Sequence, residues 1–238
     1  MDVATLATVE FLAGCLPDAG AVLEVGCGNG LVALELMERG YDVLAIDADE
    51  EAIEQARDNG VAAVHADWAD FECLPVDAVA FTRSLHHVDS LPDAVRKAAD
   101  LLVPGGLLLV EDFAVEAVDE RTLRWFLGVL HLPQARELLK PRSDELLSDL
   151  MSGKDPVEAW NRNHDHELHS FAEMEEEVAQ HFPNLDAWPV PYFYRYLIDA
   201  LPETAQAALF VKAIAVEEAA RAAGQEITML GRRIVARL

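Results

Sequence analysis

The residues best suited to chemistry begin with Glu24-Val25-Gly26-Cys27-Gly28-Asn29-Gly30, where an apolar run enters three alternating glycines. Glycine permits a tight turn and lets a ligand come close to the backbone. A dinucleotide fingerprint, G-x-G-x-x-G, carries its third glycine one residue later. Here position 31 is Leu and Gly30 comes early, which points away from a nicotinamide cofactor. Two acids follow, Asp47 at the end of Val43-Leu44-Ala45-Ile46 and Asp67 just before Trp68. A carboxylate is acceptor-only and takes two donors at once, so either acid suits a polar ligand; either could equally cap a helix or end a strand. In Ser84-Leu85-His86-His87-Val88 a doubled histidine offers a general base, because imidazole titrates near neutrality. Local packing is its plainer use, and His86 and His87 are not separable by sequence.

A second cluster, His164-Asp165-His166-Glu167-Leu168-His169, holds imidazoles and carboxylates that could ligate a metal. Its spacing does not insist on one. His164 and His166 share a face only in extended chain, His166 and His169 only on a helix, and no second half of a site is identifiable, so no metal is assigned. His166 is carried as a candidate catalytic or substrate-contacting residue, against the simpler reading that the cluster enters a helix starting near Ser170. Aromatics gather at Tyr192-Phe193-Tyr194-Arg195-Tyr196, with Trp125, Phe126 and Trp160 upstream. They read either as a wall for a planar or apolar acceptor or as alternation along a half-buried strand.

The elements that must position these groups alternate. Short apolar clusters at Ala21 to Cys27, Asp42 to Asp47, Ala62 to Asp67, Asp77 to Thr82 and Gly106 to Asp112 read as strands. Helical periods lie near 30 to 39, 49 to 58 and 91 to 102. This βαβα order predicts a doubly wound, mostly parallel sheet covered on both faces. Asp49, followed by Glu50 and Glu51, suits a helix start, and Asn59-Gly60 a helix end. From Phe113 to Ser170 the periodicity is helical only, near 119 to 131, 133 to 150 and 154 to 163. A helical insertion after the carboxyl end of the fifth strand would cover the ligand crevice, making it a lid candidate. An extended stretch is expected from Leu185 to Ile198, a helix from about Pro202 to Ala223, and a last strand, Ile227 to Leu238, read as an edge or hairpin strand with a bulge or a bend at Leu230-Gly231-Arg232.

With 238 residues, 52% of them hydrophobic, the chain can bury a full core and is expected to form one domain. Lys+Arg number 18 against 43 Asp+Glu, a net charge of −25 that repels phosphate backbones and anionic lipid surfaces. Neither nucleic acid nor membrane is an expected partner. The longest apolar run, Leu101 to Val110, is broken by Pro104-Gly105-Gly106 and falls short of the roughly 20 residues a spanning helix needs. The acidic N-terminus argues against an export signal, so the expected location is cytoplasmic. Cys15, Cys27 and Cys73 form no CxxC pair and are expected to be reduced.

Taken as a set, E-x-G-x-G-x-G over Glu24 to Gly30, Asp47, Asp67-Trp68 and Leu101-Leu102-Val103-Pro104-Gly105-Gly106 resemble, in order and spacing, the motifs of the class I S-adenosylmethionine-dependent methyltransferases. The resemblance covers about residues 1 to 113. It implies a seven-stranded Rossmann-like sheet with a reversed last strand inserted between neighbours, and S-adenosylmethionine as the cofactor. On that basis residues 1–113 are the cofactor-binding half, 114–170 the lid and 171–238 the rest of the sheet. The resemblance assigns Asp47, with Ala48 beside it, to the ribose hydroxyls and Asp67 to the adenine amino group, with Trp68 covering the ring. Glu24, Gly26, Cys27 and Gly28, with Arg83 and Ser84 after the fourth strand, fall towards the methionine end. The loop holding His86 and His87 falls at the mouth of the acceptor site.

Methyl transfer is an in-line displacement from an activated donor, so the protein mainly aligns the acceptor and excludes water. A base is needed only where the acceptor must first lose a proton. The expected reaction is methylation of a small molecule at O, N, S or C, with S-adenosylhomocysteine as product. The alternative is a protein that binds the cofactor without methylating, as a regulatory subunit or a cyclase-like enzyme, since fold and cofactor do not fix chemistry. Sequence leaves monomer and homodimer open.

Overall fold

A computed structural model of the chain describes residues 3–139, 145–164, 169–198, 200, 216–224 and 226–238. The strands are β1 (Ala21–Val25), β2 (Asp42–Asp47), β3 (Val64–His65), β4 (Val76–Thr82), β5 (Leu102–Phe113), β6 (Asn184–Val190) and β7 (Gly231–Arg237). They form one seven-stranded sheet in the order β3-β2-β1-β4-β5-β7-β6. The first five are mutually parallel, while β7 runs antiparallel to both β5 and β6. This is the Rossmann-like arrangement with a reversed last strand that the motifs imply.

Side chains alternate across the sheet, and both faces are covered, which is why the strands read as continuous apolar runs. On one face Leu23, Val79, Phe81, Leu108 and Val110 pack under α4 (Leu91–Leu101) and α9 (Phe171–His181). On the other, Val22, Ala78, Ala80, Leu107 and Leu109 meet α1 (Val3–Cys15) and α2 (Leu31–Glu38). Helix α3 (Glu50–Asp58) places Ile53 and Ala56 against Ala33 and Ala45. Its start is capped as expected, with Asp49 accepting from the amides of Glu51 and Ala52.

Helices α5 (Glu120–Leu130), α6 (Pro133–Leu138), α7 (Glu145–Met151) and α8 (Pro156–Asn163) follow β5. Leu123, Phe126, Leu147, Leu150 and Trp160 give this layer a core of its own, which Tyr192 and Phe193 join. The single helical run expected over 133 to 150 is two helices, and 140–144 lie outside the described residues.

Several expectations are corrected. The last strand is interior, as the resemblance implies and against the local reading of it as an edge or hairpin strand: β7 pairs with β5 along one side and β6 along the other, and β6 takes the edge. The extended stretch ends at Val190, after which the chain turns into the short helix α10 (Arg195–Ile198), so Tyr192, Tyr194 and Tyr196 do not alternate along a strand. The third strand contracts to Val64–His65, and α1 forms where no helix was anticipated. Of the helix expected from Pro202 to Ala223, 216–222 are helical and 201–215 lie outside the described residues.

Glu217, in that helical end, is buried, and its carboxyl accepts from the Tyr192 amide at 3.2 and 3.3 Å. Burial pushes its pKa up to about 8, against the pull of the amides of Tyr192 and Phe193. A carboxyl whose folded pKa exceeds its unfolded value keeps a proton that the unfolded chain releases, so stability declines as pH rises from the unfolded value, near 4.5, towards 8. Glu217→Gln is expected to remove this part of the decline. Urea denaturation at about pH 5.5 and about pH 8.5 measures it; a variant with the same loss as the wild type refutes the assignment.

Candidate active site

In an open α/β sheet the order of strands reverses beside β1, and ligands bind outside the carboxyl ends at that point. A cavity of about 750 Å³ lies there. Val25 and Gly26 after β1, Ile46, Asp47 and Ala48 at β2, Asp67 and Trp68 after β3, and Arg83 and Ser84 after β4 all line it. The cavity continues along α4 past Asp93, Arg96 and Lys97, which sequence reading did not single out.

The glycines of the turn do different work. Gly26 has φ +73°, and a Cβ there would lie 2.3 Å from Ser84 Cβ, so this glycine admits the loop after β4. Ser84 Oγ closes the contact by donating to the Val25 carbonyl. Gly30, at φ +75°, would meet Ala56 Cβ at 2.8 Å and so lets α3 approach. Gly28, also at positive φ, would meet no atom within 4 Å, which leaves its backbone open to a ligand. Gly26→Ala is therefore expected to cost about 2–4 kcal/mol, combining left-handed strain with overpacking. Gly28→Ala should cost only about 1 kcal/mol while weakening ligand binding. Thermal melts of the pair check this, and equal losses would refute the division of labour.

Asp47 is half-buried and already accepts two backbone donors, the Gly28 amide at 2.7 Å on Oδ2 and the Asp49 amide at 2.9 Å on Oδ1. It thus fixes the glycine turn and keeps further lone pairs for ligand hydroxyls. Asp67 is exposed and accepts from the Ala69 amide at 2.8 Å. Trp68 lines the cavity but belongs mainly to the core: it packs edge-on against Phe81, and Lys97 Nζ lies 5.1 Å from its ring centre. Its indole N–H is buried without a partner.

Glu24, Cys27 and Gly28 are not among the residues lining this cavity. Glu24 is fully buried; Thr82 Oγ1 donates to its Oε1 at 2.9 Å, and its Oε2 is left without a partner. Burial pushes its pKa up to about 7, opposed by the Thr82 bond and by Arg83. Cys27 is buried beside Glu24 and Asp47, and desolvation together with those acids pushes its thiol up to about 12. At ordinary pH it is not a thiolate nucleophile.

Sequence reading missed the acid pair Glu111-Asp112 at the end of β5. Glu111 is buried and collects Thr8 Oγ1 at 2.6 Å, Arg195 at 2.6 Å, Arg233 at 2.6 Å and Arg83 at 3.5 Å. Two adjacent acids closing the run Leu107-Leu108-Leu109-Val110 were the available signal, because burying charge is costly unless partners converge on it.

The doubled histidine forms a short 3-10 turn, Leu85–His87, with the two rings in contact at 4.1 Å but lining different cavities. His87 is exposed and lines the large cavity. His86 is buried, with Nδ1 2.7 Å from Asp112 Oδ1, and lines a second cavity of about 190 Å³ with Phe113, Glu116, His164 and His169. Of the second histidine cluster, 165–168 and hence His166 lie outside the described residues. His164 Nδ1 meets the Trp160 carbonyl at 2.9 Å and its Nε2 the Tyr196 hydroxyl at 3.0 Å. His169 Nε2 meets the Val88 carbonyl at 2.7 Å.

The family model described as "Methyltransferase domain" matches residues 2–152. Among curated relatives, a malonyl-[acyl-carrier protein] O-methyltransferase of Enterobacter lignolyticus is 31% identical over 137 residues, 56% of this chain and 53% of that protein. A ubiquinone biosynthesis O-methyltransferase of Xanthomonas oryzae is 29% identical over 176 residues, 70% of this chain and 71% of that one. The chain spans about half the length of the first curated relatives it matches. Among solved structures, a putative methyltransferase of Anabaena variabilis aligns at TM-score 0.57 and 14% identity over 100% of this chain and 98% of its own. A Haemonchus contortus phosphoethanolamine N-methyltransferase, solved with S-adenosyl-L-methionine, aligns at TM-score 0.61 and 14% identity over 98% of this chain and 52% of its own. With a family match over more than half its length and a sheet of the same fold, the chain belongs to the class I S-adenosylmethionine-dependent methyltransferases.

Proposed function

We propose that the chain transfers a methyl group from S-adenosylmethionine to a small-molecule acceptor. The observation that carries this reading is the convergence of Gly26, Asp47, Asp67 and Ser84 on one cavity at the carboxyl ends of β1, β2, β3 and β4. The residues fit the cofactor. Asp47 keeps lone pairs for the ribose hydroxyls, and Asp67 accepts from the adenine amino group near Trp68. The open backbone at Gly28 allows close approach. Arg83, Ser84 and the unpartnered oxygen of Glu24 stand towards the methionine end. When bound, the sulfonium supplies an activated methyl group that passes to the acceptor as the carbon–sulfur bond breaks, its electron pair returning to sulfur.

In this reading the chain is one domain: residues 1–113 bind the cofactor, helices within 114–170 act as a lid that shapes the acceptor pocket, and 171–238 complete the sheet. Removal of a proton, where the acceptor needs it, falls to an imidazole of the turn Leu85–His87. The names of curated relatives, a 27-O-demethylrifamycin SV methyltransferase of Amycolatopsis mediterranei among them, support a small acceptor methylated on oxygen. The net charge of −25 disfavours nucleic acid and anionic membrane. Among the described residues no helix is long and apolar enough to cross a membrane. A cytoplasmic location is part of the proposal.

Calorimetric titration with S-adenosylmethionine, S-adenosylhomocysteine and NADH tests the cofactor. Binding of the first two and not the third is expected, followed by S-adenosylhomocysteine formation in an acceptor screen. A preference for NADH, or no binding at all, overturns the reading.

A further inference from the structure

One wall of the larger cavity is held by a residue outside it. His87, Val88, Asp89 and Ser90, which carry the chain from the turn Leu85–His87 into α4, all line that cavity. Before the turn, Ser84 pins the chain to β1: its Oγ donates to the Val25 carbonyl, and its Cβ takes the space over Gly26. Within the turn the hold is weaker, since the Val88 amide reaches the Leu85 carbonyl only at 3.4 Å. What fixes the far side is His169, 81 positions further along the chain. Its amide donates to the His86 carbonyl at 3.0 Å, and its Nε2 lies 2.7 Å from the Val88 carbonyl. A carbonyl only accepts, so Nε2 carries the proton and the imidazole is the donor.

His169 is itself firmly seated. Ser170 caps α9 in a reciprocal box, its Oγ accepting from the Glu173 amide at 3.3 Å and its amide donating to Glu173 Oε2 at 2.8 Å. The Phe171 amide then donates to Glu116 Oε1 at 3.0 Å, in the turn Val115–Ala117 after β5. Three consecutive residues thus bridge the turns that follow β4 and β5, while Met174 and Val178 of α9 anchor them in the core of the sheet. The entry into α9 needs Ser170 as its cap. It does not need a half-buried imidazole laid on the carbonyl of Val88, and His169 is not among the residues lining the larger cavity.

We infer that His169 is a positioning residue for the cofactor: by clasping the carbonyls of His86 and Val88 it sets where Val88 and the residues after it stand against bound S-adenosylmethionine. The inference rests on the proposed methyl transfer and deepens it. A binding wall must be held to within about 0.5 Å, which takes contacts from behind as well as contacts to the ligand. The amide of His169 alone leaves the turn free to pivot about one bond. The imidazole adds the second point, and it does so at the residue whose own hydrogen bond within the turn is the long one.

Calorimetric titration with S-adenosylhomocysteine tests this on two variants that differ by one methylene. In His169→Gln the side-chain amide reaches the place of Nε2 and can still donate to Val88; in His169→Asn it reaches only the place of Nδ1. We expect His169→Asn to weaken binding by about tenfold or more, and His169→Gln to stay within about threefold of wild type. Ser170→Ala separates positioning from stability. It removes the cap of α9 and so lowers the urea midpoint, yet it leaves the imidazole on Val88, and its affinity should stay within about twofold of wild type. Affinity of His169→Asn within about twofold of wild type, a His169→Gln variant as weak as His169→Asn, or a Ser170→Ala variant as weak as either overturns the inference. Failure of the wild type to bind S-adenosylhomocysteine sinks instead the methyltransferase reading beneath it, and the positioning role with it.

Discussion

Asp47→Ala is expected to weaken S-adenosylmethionine binding by about 150- to 25,000-fold, the largest effect on the cofactor site of any single change proposed for this chain. The magnitude follows from hydrogen bonds to a charged acceptor, worth about 1.5–3 kcal/mol each, of which the carboxylate would make two to the ribose. The alanine also releases the amide of Gly28, which Asp47 holds at 2.7 Å, and so loosens the turn that must lie against the ligand. Asp47→Asn is expected to be nearly as damaging. Both carboxylate oxygens already accept from backbone amides, at 2.7 and 2.9 Å, so an asparagine must turn its NH₂ group against one of those donors. Calorimetry on the two variants decides the matter; an affinity within about threefold of wild type for Asp47→Ala would remove this residue from the site.

Glu111→Ala is expected to destabilise the fold by about 3–5 kcal/mol at neutral pH. The carboxylate is 2% exposed at its side chain and serves Arg195 and Arg233, with Arg83 at its edge. Removing it leaves partly buried guanidinium groups facing one another without that counter-charge. Burial alone would raise the Glu111 pKa, but Arg195 and Arg233, helped by the Thr8 hydroxyl, overcome it and hold the carboxyl below its ordinary value. A carboxyl with a depressed folded pKa stabilises above its unfolded value, about 4.3, and that contribution fades as pH falls through the lower folded value. The gap between wild type and variant should therefore narrow in acid. Urea denaturation across that range is the measurement; a gap below about 1 kcal/mol, or one indifferent to pH, would show the network to be a solvated surface cluster.

Much of the candidate cofactor site was legible because its information is local. The glycines announce a turn at any level of structure, and Asp47 and Asp67 stand at strand ends that apolar runs already mark. What those glycines do was not legible. Gly26 lines the cavity, and the folded chain adds what spacing does not show, that Ser84, 58 positions away in sequence, is pressed against it. The same limit hid Glu111, whose partners come from α1, the loop after β4, α10 and β7. A run ending in two acids is ambiguous until the arginines arrive. The doubled histidine was visible as a feature, but its division between two cavities depends on Asp112 and Phe113, which only the packed sheet brings to His86.

The alternating order of strands and helices, the glycine turn, the acids that follow it and the acidic composition could all be read from the chain before folding, because each is written in composition or in spacings shorter than one element. The tertiary structure bears out the interior place that the family resemblance gives the last strand, which its local pattern had left as an edge or hairpin. Its alternation suits an edge as well as an interior position, and only pairing with β5 on one side and β6 on the other settles it. It also decided which imidazole meets a carboxylate and which buried acids find arginines. Such pairings join residues tens of positions apart, and they follow from burying both faces of the sheet rather than from any local preference.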